Sequence, residues 1–366
     1  MILIGLICLI AGAYQVVAIL ACLKQLTRTE PWVVRRPGVS ILKPVKGGDE
    51  QLYEAIRTHA ELVYPDFEIL FGVQDLSDSA LPFLERLRAE YPAVAIQIIH
   101  ATTRAPNSKV GVLEELAAAA RHPVLVANDA DISVPHDYLH RLVAALANEK
   151  VGLVTCLYRA TADSFASTLE ALGIATDFAP SALVAPFVGV REFGLGSTLA
   201  FRAEVLETAG GFRAVREYLA DDYQIGKRIH ALGLEVEMSR MVVSTHLSGG
   251  WKEVWAHQVR WARTIRLSRS GYFGLPVTNA SFWALLALLA GMWWAAIPLL
   301  ALRLLAGFIA GRLVLRDPIT KSFWWMMPAR DLLGMIIWIV GAFGSAVRWR
   351  VQLLKLDSEG RISPGR

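Results

Sequence analysis

The sequence predicts a doubly wound, mostly parallel α/β domain held between membrane segments at the two ends of the chain. Of the 366 residues, 54% are hydrophobic and 19% are charged, against about 45–50% and about 25% in soluble globular domains. The apolar excess lies in residues 1–23 and from about 276 to 346, while the middle has ordinary globular composition. This distribution excludes a wholly soluble protein, and the hydrophobicity excludes a disordered one.

The first apolar run, residues 1–23, contains no charged side chain. At 1.5 Å per residue a helix of this length crosses about 30 Å of hydrocarbon. A cleaved signal peptide is the alternative, but it requires a basic region before the apolar core, and the first basic residue here is Lys24. We predict a retained anchor over 1–23 and a basic juxtamembrane linker over 24–38.

Basic residues flank the middle domain on both sides. They are Lys24, Arg28, Arg35 and Arg36 before it, and Arg260, Arg263, Arg266 and Arg269 after it. Basic residues beside membrane spans prefer the cytoplasmic side. We therefore predict an integral protein of a bacterial inner membrane, or an equivalent membrane, with the middle domain in the cytoplasm. The net charge of +4 is small for this length, which argues against a nucleic-acid partner.

The C-terminal membrane region is predicted over 275–347, followed by a polar tail over 348–366. The stretch from Leu275 to Leu315 has the length of two short spans, with a break near Pro298. A third apolar stretch, Phe323–Val347, leaves two alternatives open. A full span would place the basic tail outside, against the charge rule, and a re-entrant or interfacial segment would avoid this.

Strands and helices alternate in the middle domain from Gly38 onward. The predicted elements are strands at Val39–Pro44, Phe67–Gln74, Ala95–His100 and Val124–Ala127 and helices at Glu50–Leu62, Ala80–Tyr91 and Ser108–Arg121. Such alternation indicates parallel pairing, and ligands of these sheets bind beyond the carboxyl ends of the strands. The sequence has neither a GxGxxG nor a Walker A motif, so neither dinucleotide nor P-loop chemistry is indicated.

Acidic residues stand at three places in this domain. Asp75 and the pair Asp129 and Asp131 follow predicted strands, and Asp221-Asp222 precedes a predicted helix. A D-x-D pair at a strand end can hold Mg²⁺ or Mn²⁺ through oxygen ligands, and such an ion neutralises a leaving diphosphate. The alternatives are an ordinary loop for D-x-D and a helix N-cap for Asp222.

Residues 251–274 predict an interfacial amphipathic helix just before the membrane. Its tryptophans and arginines suit the headgroup level. The helix also carries His257 and, three positions on, Arg260-Trp261. An arginine fork can bind two diphosphate oxygens, so the two interpretations are compatible.

The order of an aspartate, a D-x-D pair, Asp-Asp and x-x-x-Arg-Trp beside a membrane segment resembles processive and lipid-directed family-2-type glycosyltransferases. Further segments are similar to ceramide glucosyltransferases, and the similarity extends over nearly the whole chain. These segments are Val39–Gly47, Gly72–Asp75, Lys109-Val110, Val151–Val154, Val205-Leu206 with Ala209–Gly211, and Leu219–Tyr223. Bacterial relatives that glycosylate hopanoid lipids share much of this pattern.

The resemblance implies a GT-A fold for residues 39–250, a nucleotide-sugar donor and inversion at the anomeric carbon. It implies a general base at Asp222. It implies donor-binding roles for Lys43, Pro44, Asp75, Lys109, Asp129, Arg260 and Trp261, and acceptor or closing-motif roles for Asp221 and His257. From the residues themselves we add Gly196 as an acceptor-site candidate, since glycine permits close backbone approach. We also add Asp129 and Asp131 as metal ligands, with His246 as an additional candidate. Two departures stand out. His257 replaces the usual Gln or Arg of the closing motif, and Asp131 stands where animal ceramide enzymes have glycine.

These observations predict an inverting enzyme that transfers a hexose from a UDP-sugar to the hydroxyl of a lipid in the bilayer. Glucose transfer to ceramide is the leading interpretation. The alternative is transfer of N-acetylglucosamine or another hexose to a hydroxylated hopanoid or another lipid. A more distant alternative is a non-enzymatic lipid-binding or transport protein, in which Arg303 and Arg330-Asp331 line a polar path. That alternative leaves the ordered aspartates unexplained.

Overall fold

The computed structural model describes residues 1–29, 36–269, 271–349 and 352–363. Arg35 of the predicted linker and Arg350 of the predicted tail lie outside these residues. The chain divides into two compact units. The membrane unit comprises Met1–Arg28, Tyr158–Val190 and Leu247–Arg366, and the sheet unit comprises Thr29–Leu157 and Arg191–His246. The segment Tyr158–Val190 belongs to the membrane unit, and the bounds of the predicted domain over 39–250 stay a prediction.

The described residues form ten strands. These are β1 (Val39–Pro44), β2 (Phe67–Val73), β3 (Ala95–His100), β4 (Val124–Ala127), β5 (Val151–Ala162), β6 (Leu199–Arg202), β7 (Glu235–Leu247), β8 (Ala346–Trp349), β9 (Gln352–Leu356) and β10 (Ile362–Ser363).

The same residues form fourteen α-helices. These are α1 (Ile2–Thr27), α2 (Glu50–Ala60), α3 (Leu81–Glu90), α4 (Ser108–Ala119), α5 (Tyr138–Leu146), α6 (Phe165–Gly173), α7 (Ala179–Val184), α8 (Ala203–Thr208), α9 (Asp221–Ala231), α10 (Trp251–Ser268), α11 (Ala280–Leu289), α12 (Trp293–Phe308), α13 (Pro318–Phe323) and α14 (Met327–Gly341). Two π-helical turns, Ile174–Phe178 and Ile309–Val314, extend α6 and α12. Short 3₁₀ segments occupy Ala185–Val188, Phe212–Val215, Tyr272–Thr278 and Trp324–Met326.

A seven-stranded sheet with the order β3-β2-β1-β4-β6-β5-β7 forms the centre of the sheet unit. The pairs β1–β2, β1–β4 and β2–β3 are parallel, and β6 is antiparallel to β4 and β5. The predicted α/β class with a mostly parallel sheet is confirmed. The carboxyl ends of β2, β1 and β4 meet at one edge, where such sheets bind ligands.

The central strands are buried on both faces because helices cover the sheet. All four residues of β4 are buried, as are the first five of β1, which matches the continuous apolar runs of parallel sheets. The helices begin at recognisable caps. The side chains of Asp49 and Asn107 accept hydrogen bonds from the main-chain N–H groups of Leu52 and Val110, and such caps stabilise a helix start by about 1 kcal/mol.

In the membrane unit, four helical segments of the described chain are long and apolar enough to cross a bilayer. They are Ile2–Thr27, Phe165–Val188, Trp293–Val314 and Pro318–Gly341. The bent pair Tyr272–Thr278 and Ala280–Leu289 could form a fifth. The predicted anchor over 1–23 coincides with the first segment. The second segment is unexpected, because it interrupts the middle of the predicted globular domain.

Arg303, which lies in an apolar run of the sequence, faces protein. It is 4% exposed, and its Nε and Nη2 donate to the two carboxylate oxygens of Asp331, each at 2.7 Å. Its Nη1 donates to the carbonyl of Thr176 at 2.9 Å. A bidentate pair of this kind leaves neither charge facing an apolar surrounding.

Candidate active site

The sheet unit gathers acidic side chains at the carboxyl edge of its parallel strands. Asp75 lies just beyond β2, Asp129 just beyond β4, and Asp221 and Asp222 occupy the first turn of α9. Sequence reasoning predicted the places of Asp75 and Asp129, because these follow from the strand ends and the parallel pairing.

Lys109, in the first turn of α4, joins the acidic groups of two segments. Its Nζ lies 2.8 Å from Asp129 Oδ1 and 3.2 Å from Asp221 Oδ2. The side chain of Asp221 is 7% exposed, whereas that of Asp129 is 45% exposed. The ammonium group therefore compensates a buried carboxylate on one side and an accessible one on the other. A carboxylate buried without such a cation would be strongly unfavourable.

Asp222 is held by main-chain groups. Its Oδ2 accepts from the N–H of Gly196 at 2.8 Å, and its Oδ1 accepts from its neighbour Tyr223 at 2.7 Å. Gly196 lies among the charged groups. A Cβ added there would stand 3.0 Å from Asp129 Oδ2, 3.5 Å from Asp222 Oδ2 and 3.6 Å from Lys109 Nζ. The glycine thus keeps a space open between the carboxylates and the ammonium group.

Burial and charge shift the pKa values of this cluster. Burial raises the pKa of Asp221 to about 6, although Lys109 opposes the shift. Burial likewise raises the pKa of Asp222, against the effect of Lys109 and of the Tyr223 N–H. For Lys109, burial lowers the pKa, but Asp129, Asp221 and Asp222 outweigh it and the net shift is upward. The cluster therefore pairs a permanent cation with two carboxylates, Asp221 and Asp222, that accept protons more readily than free ones.

Asp131 is oriented by the end of β7. Its Oδ2 accepts from the Thr245 hydroxyl at 2.7 Å, and residues 133 and 244 form a β-bridge. Burial, followed by the charge of Asp129, raises the pKa of Asp131. His246 follows Thr245 directly. Within the described residues, no group of three or more His, Cys, Asp or Glu side chains is arranged to hold a metal ion alone, so a metal role for His246 stays a prediction.

The carboxylates beyond β4 suit a divalent cation. Mg²⁺ is commonly bound by one or two carboxylates together with substrate phosphates, and it does not require a full protein cage. Asp129 has an accessible carboxylate, and its Oδ2 borders the open space beside Gly196. These residues therefore fit a cation that is shared with a diphosphate.

Asp75 is exposed beyond β2. Its Oδ1 accepts from both the N–H and the hydroxyl of Ser77, at 2.8 and 2.6 Å, and these bonds lower its pKa. It is therefore an ionised, oriented carboxylate at the ligand-binding edge of the sheet. Pro44 ends β1 at the same edge.

Lys43 has a position that the sequence did not indicate. It is 0% exposed, and its Nζ donates to Asn128 Oδ1 at 3.0 Å and to the carbonyl of Asp129 at 3.1 Å. His59 Nε2 lies 3.3 Å away. Burial lowers the pKa of Lys43 to about 7. The Lys43 ammonium group thus contacts the main chain of the loop that carries Asp129 and Asp131. Its predicted contact with the nucleotide stays a prediction.

The hydrogen bonds around Lys43 continue through residues that sequence reasoning missed. Asn128 Nδ2 contacts His59 Nε2 at 3.0 Å and the Tyr138 hydroxyl at 3.4 Å. Tyr138 in turn shares a 2.9 Å bond with Thr198. The network links β4 to the segment that carries Gly196. One signal was available for His59, since it shares the buried face of α2 with Leu52 and Ile56.

A second glycine sets the distance between α9 and the Gly196 segment. A Cβ on Gly226 would lie 2.5 Å from the Gly194 main-chain nitrogen and 2.7 Å from the Phe193 carbonyl carbon.

We expect Gly226→Ala to lower the stability of the protein by about 2 kcal/mol, because backbone must move to accept the methyl group. Thermal unfolding in detergent measures this effect. Gly274→Ala is the matched control, since nothing lies within 4 Å of its added Cβ. Equal melting temperatures would contradict the close approach.

The predicted closing motif lies on α10 in the membrane unit. His257 Nδ1 is hydrogen-bonded to the buried carboxylate of Glu170, and the ring of Trp261 packs against His257 at a centroid distance of 4.8 Å. Trp251 and Trp255, one turn apart, are 53% and 40% exposed, as expected of an interfacial helix. The roles of Arg260 and Trp261 toward a diphosphate stay predictions.

Comparison with solved structures identifies the fold. A mannosyltransferase from Pyrobaculum calidifontis, solved in complex with GDP-Man and Mn²⁺, superimposes with a TM-score of 0.57 at 19% identity. The match covers 93% of this chain and 97% of that one. The predicted GT-A fold is thereby confirmed.

Comparison of sequences gives the relationship. Ceramide glucosyltransferase 1 of Caenorhabditis elegans is 28% identical over 207 residues, which is 56% of this chain and 44% of the relative. The ceramide glucosyltransferase of Komagataella phaffii is 29% identical over 124 residues, or 32% of this chain and 24% of the relative. The chain thus matches less than half the length of these relatives. The family model for glycosyl transferase family 21 matches residues 3–362, so the chain belongs to glycosyl transferase family 21.

Proposed function

We propose that this protein transfers a hexose from a UDP-sugar to the hydroxyl of a membrane lipid, with inversion, and that glucose and ceramide are the substrates. The observation that carries the proposal is the cluster in which Lys109 bridges Asp129 and Asp221 beside Asp222. It supplies an oriented base next to an accessible carboxylate that can face a diphosphate. The relationship to ceramide glucosyltransferases supports the choice of substrates.

Asp222 acts as the general base. Each carboxylate oxygen has two lone pairs, so Oδ1 and Oδ2 can accept the main-chain bonds and still take a proton from an acceptor hydroxyl. A raised pKa brings a base nearer to the working pH and favours proton transfer. An inverting displacement requires one base and no protein nucleophile.

Asp129 and Asp131 would hold a divalent cation, Mg²⁺ or Mn²⁺, and this cation would neutralise charge on the leaving diphosphate. Lys109 orients the Asp129 carboxylate through its Oδ1 atom. Lys43 holds the carbonyl of Asp129 and thereby the loop itself. Because the Asp129 loop is already held in place before the reaction, less reorganisation is needed to reach the transition state.

The membrane unit gives the enzyme access to a lipid acceptor, because α1 and the C-terminal helices can cross or enter a bilayer. Lys24 and Arg28 at the end of α1 favour the cytoplasmic side for the sheet unit. We therefore place the reaction at the cytoplasmic face of a bacterial inner membrane or an equivalent membrane.

Asp75 contacts the uridine of the donor in this proposal. We expect Asp75→Ala to raise the Kd for UDP about tenfold, since hydrogen bonds to charged groups contribute about 1.5–3 kcal/mol. Calorimetric titration of the purified protein measures this Kd. Glu85→Gln, an exposed acid on α3, serves as the control. An unchanged Kd in Asp75→Ala would remove the uridine contact from the proposal.

A radiolabel transfer assay on membranes containing this protein tests the function. UDP-glucose and UDP-N-acetylglucosamine are each offered with ceramide and with a polyhydroxylated hopanoid, with and without Mn²⁺. Glucose on ceramide supports the proposal. Transfer of N-acetylglucosamine to the hopanoid would support the same enzyme class with a different donor and a different acceptor. Absence of both sugar transfer and UDP binding would contradict the proposal.

A further inference from the structure

A small polar cavity lies inside the membrane unit, outside the acidic cluster of the sheet unit. Five segments of the chain converge on it. Its lining comprises Tyr14, Gln15 and Ala18 of α1, Thr176, Asp177 and Pro180, Thr278 and Asn279, Arg303 of α12 and Asp331 of α14. The cavity volume is about 20 Å³, room for roughly one water-sized group. It can therefore hold a hydroxyl or an amide group, but not a sugar ring or a phosphate.

Most polar groups that line this cavity already have partners within the protein. Asp331 accepts two bonds from Arg303 and one from the Ser281 hydroxyl. Gln15 Nε2 donates to the carbonyl of Thr278 at 3.2 Å, and Asn279 Nδ2 donates to the carbonyl of Asp331 at 2.9 Å. In the described part of the chain, the Asp177 carboxylate and the Tyr14 hydroxyl are the lining side-chain groups without a hydrogen bond or ion pair.

Asp177 is unusual on its own helix. Every residue from Ala166 to Pro186 is buried or half-buried except Asp177, which is exposed. It lies in the π-helical turn Ile174–Phe178, and π-turns within α-helices occur frequently at functional sites. An ionisable side chain on an apolar helix is costly and marks a functional site by default.

The charges around Asp177 restrict what it can bind. Its carboxylate repels an anion, which excludes a phosphate headgroup. Asp331, Arg303 and Arg330 act electrostatically on Asp177, and the formal charges of these four groups cancel, so a bound cation would leave a net charge. An uncharged group with O–H or N–H donors satisfies the carboxylate without adding charge, and it can also accept a bond from the Tyr14 hydroxyl.

Two of the helices that line the cavity, α1 and α12, also carry exposed apolar side chains. Ile10 and Val16 on α1 are 47% and 44% exposed, and Ile297 on α12 is 62% exposed. Apolar side chains exposed on helices that can span a membrane suit contact with acyl chains. We propose that this cavity, here called the Asp177 pocket, binds the hydroxyl or amide end of an uncharged membrane lipid. That the lipid is the acceptor rests on the proposed function.

Lipid binding by the purified full-length protein in phosphatidylcholine nanodiscs tests this proposal. The probe is a fluorescent, short-chain N-acylated amino-diol lipid, and phosphatidylcholine without hydroxyl or amide donors is the competing lipid. We expect Asp177→Asn to raise the Kd of the probe about tenfold, because a hydrogen bond to a charged acceptor is lost. Tyr14→Phe is expected to raise it about threefold. Glu204→Gln, whose side chain is exposed on the sheet unit, should leave it unchanged.

UDP binding measured on the same preparations reports whether each variant is folded, and Tyr14→Phe keeps the test valid if Asp177→Asn does not fold. Equal probe affinity in wild type and variants overturns the proposal, as does failure of the wild type to bind the probe. Sugar transfer is assayed in parallel. Sugar transfer without Asp177-dependent binding of the probe leaves the proposed function intact and contradicts the Asp177 pocket. Asp177-dependent binding of the probe without sugar transfer supports the Asp177 pocket and contradicts the proposed function.

Discussion

Asp222→Asn is expected to lower sugar transfer by about 10²–10⁴-fold, the usual contribution of a general base. The amide cannot take the proton of an acceptor hydroxyl at neutral pH. Both oxygens of Asp222 accept main-chain N–H groups, so the amide NH₂ of asparagine must face one donor. We therefore also expect a loss of stability of about 1–2 kcal/mol. Transfer assays at saturating donor, with thermal unfolding, separate the two effects.

The control for this variant is Asp137→Asn, at the N-cap position just before α5. The Asp137 side chain is 50% exposed, pairs with Arg141 on the surface and makes no cap hydrogen bond. It should retain full transfer and stability. UDP binding by Asp222→Asn should stay within about twofold of wild type, because the base is not a donor ligand in this mechanism. Normal turnover in Asp222→Asn would show that another group removes the proton.

The acidic limb of the pH profile gives an independent check on Asp222. The base must be ionised to work, and burial raises its pKa. The rate therefore falls as the pH drops through this raised pKa, and it falls at a higher pH than a free aspartate would require. An acid limb that is absent down to pH 4 would be inconsistent with this assignment.

The sheet edge and its aspartates could be predicted from the sequence because local patterns determine them. The predicted strands Val39–Pro44 and Val124–Ala127 have those bounds in the structure. Asp129 follows the second of them, so parallel pairing alone places it at the ligand-binding edge. The N-terminal anchor was equally readable, since an uncharged apolar run of this length has few alternatives.

Other features depend on partners that are distant in the sequence. The Lys43 ammonium contacts Asn128, 85 residues away, and no local pattern distinguishes such a lysine from a ligand contact. In the sequence, the segment from Phe165 to Val188 stands between strands β5 and β6. Its apolar residues are interrupted by Glu170 and Asp177. Only the tertiary contacts of this segment assign it to the membrane unit. The contacts of Lys109 with Asp129 and Asp221, which belong to two separate segments, likewise could not be predicted from local patterns.

Lys109→Met is expected to weaken both the fold and the reaction. The substitution keeps most of the side-chain volume but leaves Asp129, Asp221 and Asp222 without their shared cation. Breaking a buried ion pair costs about 3–5 kcal/mol, and we expect a value near the lower limit because Asp129 is partly exposed. Thermal unfolding of the variant in detergent measures the loss, with Lys227→Met, an exposed lysine of α9, as the matched control.

The pH profile separates the catalytic effect of Lys109 from its structural effect. Lys109 lowers the pKa of both Asp221 and Asp222, so its removal must raise them further. The base then stays protonated to a higher pH, and the acid limb of the transfer rate moves upward by about one to two units. Lys109→Arg retains the charge and should restore most of the wild-type profile. A loss of stability with an unmoved acid limb would mean that Lys109 supports the fold without setting the protonation of Asp222.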